Sequence, residues 1–124
     1  MRSVHIALAV LLLGVAWGVF ASAAEDEAAL KQRALAEMAT LSAAMNTLFV
    51  DCGELPVDRT GLDALIRDPG FKGWNGPYAD SKLLIDPWKT PYQYRLGQAN
   101  FTLRSAGQDR KFNTNDDVTT GEMK

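Results

Sequence analysis

The chain has very little of the side-chain chemistry on which most enzymes depend. It contains one histidine, His5, and one cysteine, Cys52, among 124 residues. Because His5 lies in an apolar N-terminal segment, the rest of the chain has no imidazole for a Ser-His-Asp or Cys-His site, nor for a histidine-ligated zinc. Only carboxylates remain for acid–base work. A two-carboxylate glycosidase is the enzymatic alternative, but the acids concentrate in one C-terminal loop, so we expect no enzyme.

A single cysteine also excludes an intrachain disulfide bond. We expect Cys52 to pack as a small apolar side chain at a helix end, and the alternative is an intermolecular bridge. The charges nearly balance, with 13 basic and 15 acidic residues. A mildly acidic chain without a basic stripe is a poor partner for nucleic acid. The 10 glycines are dispersed and form no G-x-x-x-x-G-K phosphate loop.

The N-terminus has the layout of an export signal. Arg2 precedes an apolar run over residues 6–20, small residues over 21–23, and an acidic turn that begins at Glu25. We predict that residues 1–23 are a signal peptide, or an uncleaved signal anchor, since residues 4–24 are long enough to cross about 30 Å of hydrocarbon. The mass of the mature protein distinguishes the two, because cleavage after Ala23 releases the chain.

Residues 24–124 then predict one small globular domain, which opens with a long helix over residues 25–52. Gly53 and Pro56 mark the end of this helix. If the leader is retained, helix and apolar segment can run on as a single rod. One apolar stripe runs along this helix. It either covers a small sheet or, in its N-terminal part, packs against copies of itself, and the two are compatible. The stripe consists of Ala34, Met38, Leu41, Met45 and Leu48.

The remainder of the domain predicts short elements. Thr60 to Asp63 resembles a capping box that opens a short helix over residues 60–67, with Leu62, Leu65 and Ile66 pointing inward. Residues 71–90 form an irregular but packed loop, since Trp74, Tyr78 and Trp88 are large rings. Alternation over residues 91–105 predicts a hairpin, and residues 118–120 a third strand. The fold class is therefore α+β, with the long helix packed on a small antiparallel sheet.

Residues 106–120 form a C-terminal loop that is rich in oxygen-bearing side chains and has no histidine or cysteine. An oxygen-only ligand set suits a hard cation such as calcium, which takes roughly six to eight oxygens. The alternative is a set of solvated turn residues, because Asn and Asp favour turns for their own reasons. The loop is not an EF-hand, since Lys111 and Thr120 occupy the third and twelfth positions counted from Asp109. The oxygen-bearing residues are Asp109, Asn113, Asn115, Asp116 and Asp117.

Taken in order, these segments resemble the major pseudopilins of type II secretion systems. The family's pattern has a long helix ending near G-x-x-P, then T-x-G-L-x-A-L, W-x-G-P-Y, D-P-W-x-x-P-Y-x-Y, a hairpin, and S-x-G-x-D before an acidic loop. The resemblance covers roughly residues 25–120. The matching segments are Gly53 to Pro56, Thr60 to Leu65, Trp74 to Tyr78, Asp86 to Tyr94 and Ser105 to Asp117.

The resemblance implies a pseudopilin-like fold with a C-terminal calcium loop. It carries side-chain ligation onto Asp109 and Asp116, with backbone carbonyls near Ala106 and Val118 completing the shell. Asp117 is then an additional ligand or an acceptor behind the ligands. The implied function is that of a structural subunit or accessory of a secretion pseudopilus, which acts in protein export.

The implied partners are other pseudopilin-like subunits or further copies of the chain, and the inner membrane if the leader is retained. The implied location is the periplasm, either anchored or released. The sequence departs from the family at its N-terminus. The family has a short basic leader that ends in Gly at the cleavage point, then Phe and a Glu five residues into the mature protein, and this sequence has neither. This departure keeps open a second interpretation, a stand-alone periplasmic or extracellular binding module that uses Trp74, Tyr78, Trp88 and Tyr92. Lys89-Thr90 also replaces the usual Gly-Asn, and Arg110 replaces a common Gly, so both turns are expected to differ.

Overall fold

The computed structural model describes residues 2–120, with side chains from Asp26 onward. Helix α1 spans Arg2–Cys52. Short 3-10 helices follow at Gly61–Leu65 and Ser81–Leu84. Three antiparallel strands, in the order β1-β2-β3, complete the fold. They are β1 (Gln93–Leu96), β2 (Phe101–Ser105) and β3 (Val118–Thr119).

Helix α1 ends at Cys52, which is where the sequence places its end. Gly53 has a φ of 76°, and its amide donates to the Phe49 carbonyl at 2.7 Å, a common way of closing a helix with glycine. The helix begins at Arg2 rather than near residue 25. The interpretation of residues 1–23 as a signal peptide or anchor rests on side chains outside the described part. No helix among the described residues has the length and apolar character that a bilayer crossing requires.

The core confirms the predicted packing of a helix on a sheet. All five stripe residues of α1 have 0% exposure. Four of them, from Met38 to Leu48, pack in one cluster with the inward faces of β1 and β2 and with the first 3-10 helix. Burial of each large side chain contributes about 1.5–3 kcal/mol. The residues of the cluster outside α1 are Leu62, Ala64, Leu65, Tyr92, Tyr94, Phe101 and Leu103.

The predicted capping box at Thr60 is wrong. Thr60 has φ −77° and ψ −47°, and its side chain makes no capping bond. An N-cap residue needs an extended backbone to turn its oxygen toward the next amides, and Thr60 is already helical. Gly61 follows with a φ of 52°, so only the short 3-10 turn Gly61–Leu65 forms. Leu62 and Leu65 are nevertheless buried, as predicted, while Ile66 is half-buried.

The aromatic segment is anchored to the end of α1 and to the first 3-10 helix. The Trp74 indole donates to the Ala64 carbonyl at 2.7 Å, and the Tyr78 hydroxyl donates to the Asp51 carboxylate at 2.8 Å. The two rings meet edge to face with centroids 5.6 Å apart. Gly73 lies so close to the Asp51 carbonyl that a Cβ would overlap it. This loop is therefore packed, as its large rings predict.

Asp86 is a buried carboxylate at the centre of the C-terminal half, with 2% exposure. Its Oδ1 accepts from the amides of Trp88 and Thr90 at 3.0 and 2.8 Å. Its Oδ2 accepts from the Ser105 hydroxyl at 2.7 Å, and the Ser105 oxygen in turn accepts from the Gly107 amide at 3.2 Å. The two amides and the Ser105 hydroxyl thus donate to both oxygens of Asp86, so the buried side chain is fully hydrogen-bonded.

We expect Asp86→Ala to lower the free energy of unfolding by about 3 kcal/mol, because three donors lose their acceptor in a buried site. Asp86→Asn is expected to cost about 1–2 kcal/mol, since an NH₂ facing Ser105 cannot accept the hydroxyl proton, which would lose its buried acceptor. Urea denaturation measures both. Asp63→Asn is the matched control. Its carboxylate is exposed and 3.5 Å from Arg67, so about 0.5 kcal/mol or less is expected. Equal effects at the two positions would contradict the role of Asp86.

Two cationic residues adopt the left-handed conformation that glycine accepts most readily. Lys89 has a φ of 73° and Arg110 a φ of 59°. The family that this sequence resembles commonly has glycine at these two positions. The turn at Lys89 still closes, because its amide donates to the Asp86 carbonyl at 3.0 Å. Because a Cβ is crowded at positive φ, Lys89 and Arg110 each cost roughly 1–2 kcal/mol of backbone strain.

Lys89→Gly and Arg110→Gly are each expected to raise the free energy of unfolding by about 0.5–1 kcal/mol. Relief of strain exceeds the added entropy of glycine in the unfolded chain. Lys82→Gly is the control, because Lys82 lies in the second 3-10 helix without a positive φ and should lose stability. If the first two substitutions destabilise as the control does, the strain at these turns is not relieved by glycine.

Candidate functional site

The ends of the 106–120 loop meet at Gly107. This residue has a φ of 75°, and a Cβ placed on it would overlap the carbonyl of Asp116. Glycine is thus needed here for both its conformation and its lack of a side chain. The close approach fixes where Asp116 lies relative to the end of β2.

The short strand β3 brings the other end of the loop to the same place. Val118 pairs with Ser105, the last residue of β2. The Thr120 amide donates to the Leu103 carbonyl at 3.2 Å, and its hydroxyl accepts from the Leu103 amide at 3.3 Å. The structure therefore brings together Ala106, Asp116 and Val118 at the base of the loop. Ala106 is fully buried there, with 0% exposure.

Asp109 lies on the exposed outer part of the loop. Its Oδ1 accepts from the Lys111 amide at 2.9 Å. That bond is the main cause that holds the pKa of the Asp109 carboxyl below its usual value. The carboxylate is therefore ionised and oriented by its own loop.

Asp117 is turned toward the interior of the loop, and its side chain is only 11% exposed. Its Oδ2 accepts from the Asn113 amide at 2.7 Å and lies 3.8 Å from Nη1 of Arg104. Its Oδ1 is approached by the Thr114 amide and hydroxyl at 3.5 and 3.4 Å. Both oxygens are thus engaged in organising the loop.

Asp116 differs from its neighbour. It is half-buried, and within residues 26–120 its carboxylate has no hydrogen bond or ion pair. Among the described residues, no three acidic, histidine or cysteine side chains converge closely enough to hold a metal ion. A cation at this loop would therefore take backbone carbonyl oxygens as well as carboxylates. That oxygen-only donor set, at a base closed by Gly107, fits calcium in its chemistry.

Sequence reasoning missed Arg104 and Thr114 as parts of this site, and it named Asn113 only for its side-chain oxygen. Arg104 is visible in the sequence only as an outward residue of a strand, and nothing in its spacing points to Asp117. Asn113 has a φ of 68° and donates its amide to Asp117, so it serves the loop through its backbone. The signal available for it was the frequency of asparagine in left-handed turns.

The aromatic side chains do not form an open binding surface. Trp88 and Tyr92 are 7% and 6% exposed. The Tyr92 hydroxyl donates to the Glu37 carboxylate of α1 at 2.8 Å, and this bond together with burial raises the pKa of Tyr92. Trp74 and Tyr78 are half-buried and bonded to the protein itself. These rings act in packing the domain.

The family model described as type II secretion system (T2SS), protein G, matches residues 22–121. A type II secretion system core protein G of Xanthomonas campestris pv. campestris is 40% identical over 80 residues, which cover 61% of this chain and 53% of that protein. The protein of the same name from Pseudomonas aeruginosa is 33% identical over 81 residues, covering 60% and 57%. The one from Aeromonas hydrophila is 29% identical over 130 residues, covering 94% and 90%.

The crystal structure of the major pseudopilin from the type 2 secretion system of enterohaemorrhagic Escherichia coli has the same fold. Its TM-score is 0.68 at 24% identity, covering 78% of this chain and 87% of that one. The chain spans about half the length of the first two curated relatives, 53% and 57%. Since the family model extends over most of the sequence, the chain belongs to the type II secretion system protein G family.

Proposed function

We propose that the chain is a structural subunit or accessory of a type II secretion-like pseudopilus, that it acts in protein export, and that it is not an enzyme. The observation that carries this proposal is the family match over residues 22–121, together with the pseudopilin fold. Its partners are other pseudopilin-like subunits or further copies of the chain. Its place is the periplasmic side of the envelope, anchored in the inner membrane if the leader is retained.

The helix offers a surface for such contacts. Beside the buried stripe, α1 exposes Leu35, Phe49 and Val50, with exposures of 40%, 47% and 80%. Burial of exposed apolar side chains drives protein association. We therefore place the subunit contact on this part of α1, which does not pack on the sheet.

Chemical crosslinking of the full chain in the envelope of a secreting cell tests this contact. A ladder of multimers or mixed species is expected. Phe49→Asp and Val50→Asp should each reduce it at least severalfold, because a charge placed in an apolar contact is poorly solvated. Val57→Asp is the control, since Val57 is also exposed, at 58%, but lies beyond the helix. A chain that stays monomeric at native abundance would favour the stand-alone module instead.

We propose that calcium closes the 106–120 loop. Asp109 and Asp116 would hold it through their carboxylates, and Ala106 and Val118 through their carbonyls. Asp117 would be an additional ligand or, as its contacts favour, the acceptor behind the ligands. The ion supplies positive charge that links the two ends of the loop. Support comes from the oxygen-only donor set, the contact at Gly107, and the two-residue length of β3.

Calcium is expected to raise the melting temperature of the purified protein by roughly 10 °C or more. Free calcium at a hundredfold above its Kd stabilises the folded state by about 2.7 kcal/mol. Asp109→Ala and Asp116→Ala should each remove most of this rise. Asn115→Ala is the control inside the same loop, and it should keep the rise. A calcium response that survives both aspartate substitutions would show that the ligands are misassigned.

A further inference from the structure

One side chain of the sheet reaches into the C-terminal loop. Arg104 lies in β2, and its Nη1 donates to Oδ1 of Asn113 at 3.0 Å. The same nitrogen lies 3.8 Å from Oδ2 of Asp117. Arg104 keeps 35% of its side chain exposed, whereas the carboxylate that it approaches is 11% exposed. The guanidinium therefore contacts one exposed loop residue, Asn113, and one mostly buried carboxylate, Asp117.

These three residues form a closed set of contacts. The Asn113 amide donates to the same Asp117 oxygen, at 2.7 Å, that the guanidinium approaches. Asn113 also has a φ of 68°, a conformation that is costly unless its surroundings hold it. The Arg104 guanidinium bonds the side chain of Asn113, while the Asp117 carboxylate accepts from the backbone amide of Asn113. The strained residue is thus fixed from two sides.

The contacts continue from Asp117 toward Asp109. The amide and hydroxyl of Thr114 approach the other Asp117 oxygen at 3.5 and 3.4 Å. The Thr114 hydroxyl also donates to the Lys111 carbonyl at 3.1 Å, and the Lys111 amide donates to Oδ1 of Asp109 at 2.9 Å. A continuous series of polar contacts therefore runs from the sheet through Asp117 and Thr114 to Asp109.

We propose that Arg104 is a positioning residue that holds the 109–117 segment in its closed form before any ion binds. Its bearing on calcium rests on the proposed function, but its hold on the loop does not. A solvent-exposed ion pair by itself contributes little. Arg104 differs because it contacts two loop residues at once, through a hydrogen bond to Asn113, which has a positive φ, and an ion pair with the largely buried Asp117.

Positioning and charge repulsion predict opposite changes in calcium affinity when Arg104 is removed. A guanidinium near a calcium site repels the ion, so its removal should strengthen binding if charge alone matters. If Arg104 instead raises the fraction of molecules whose loop is already in the binding conformation, its removal should weaken calcium binding in proportion to the fall in that fraction. The direction of the affinity change therefore separates positioning from repulsion.

Hydrogen exchange of the full chain in EDTA tests the first claim without calcium. In Arg104→Ala, the amides of Asn113, Thr114 and Asp117 should exchange about tenfold faster than in the wild type. Arg104→Lys, which keeps the charge but not the two-residue contact, should give an intermediate rate. Arg95→Ala is the matched control, an exposed arginine of β1, and it should leave these amides unchanged. Unchanged exchange in Arg104→Ala overturns the proposal.

Calorimetric titration with calcium chloride tests the second claim. Arg104→Ala should bind calcium about fivefold to tenfold more weakly, and tighter binding would overturn positioning of the site. Asn113→Gly offers a second route, since it removes the guanidinium acceptor while tolerating the positive φ, and it should also speed exchange at Thr114. If the wild type binds no calcium, the calcium part of the proposed function fails, and the exchange rates still decide on Arg104.

Discussion

The C-terminal half of this domain depends on one buried carboxylate, Asp86. It joins the turn at residues 86–90 to the end of β2, and through the Ser105 hydroxyl it reaches the amide of Gly107. A buried charge without an opposite charge is tolerable only when hydrogen bonds satisfy it fully. Gly107 in turn touches Asp116. The aromatic segment, the sheet and the C-terminal loop are thereby coupled through a few polar atoms.

Such coupling matters because the sheet is small. Strand β3 has two residues, and β1 has four. The stripe of α1 supplies one side of the apolar core, but hydrophobic contacts are not directional and do not fix the segments beyond the helix and the first two strands. Directional bonds must therefore fix the remaining segments. Asp86, Asp117 and the Tyr92–Glu37 pair do this at three different places.

The helix, the hairpin and the core could be predicted from residue periodicity, because their side chains alternate with the period of the element that carries them. The capping box at Thr60 failed because residue types at its first and fourth positions do not set the backbone, which is already helical at Thr60. Asp86 and Ser105, or Arg104 and Asp117, could not be paired from sequence. Their contacts depend on the path of the intervening chain, and no local pattern records that path.

The charges of the loop explain why its geometry matters more than its acidity. Three aspartates, Asp109, Asp116 and Asp117, lie close in the sequence to three cationic residues, Arg104, Arg110 and Lys111. A divalent ion at the proposed site would therefore approach a loop with almost no net charge, so long-range attraction would contribute little to its binding. Its affinity would come instead from how well the loop positions its oxygens. Arg110 and Asn113 both have a positive φ, and the contacts of Arg104 with Asn113 and Asp117 tie this segment to the sheet. In the proposed site, the arginine that weakens the attraction for a cation would thus supply the order on which its binding depends.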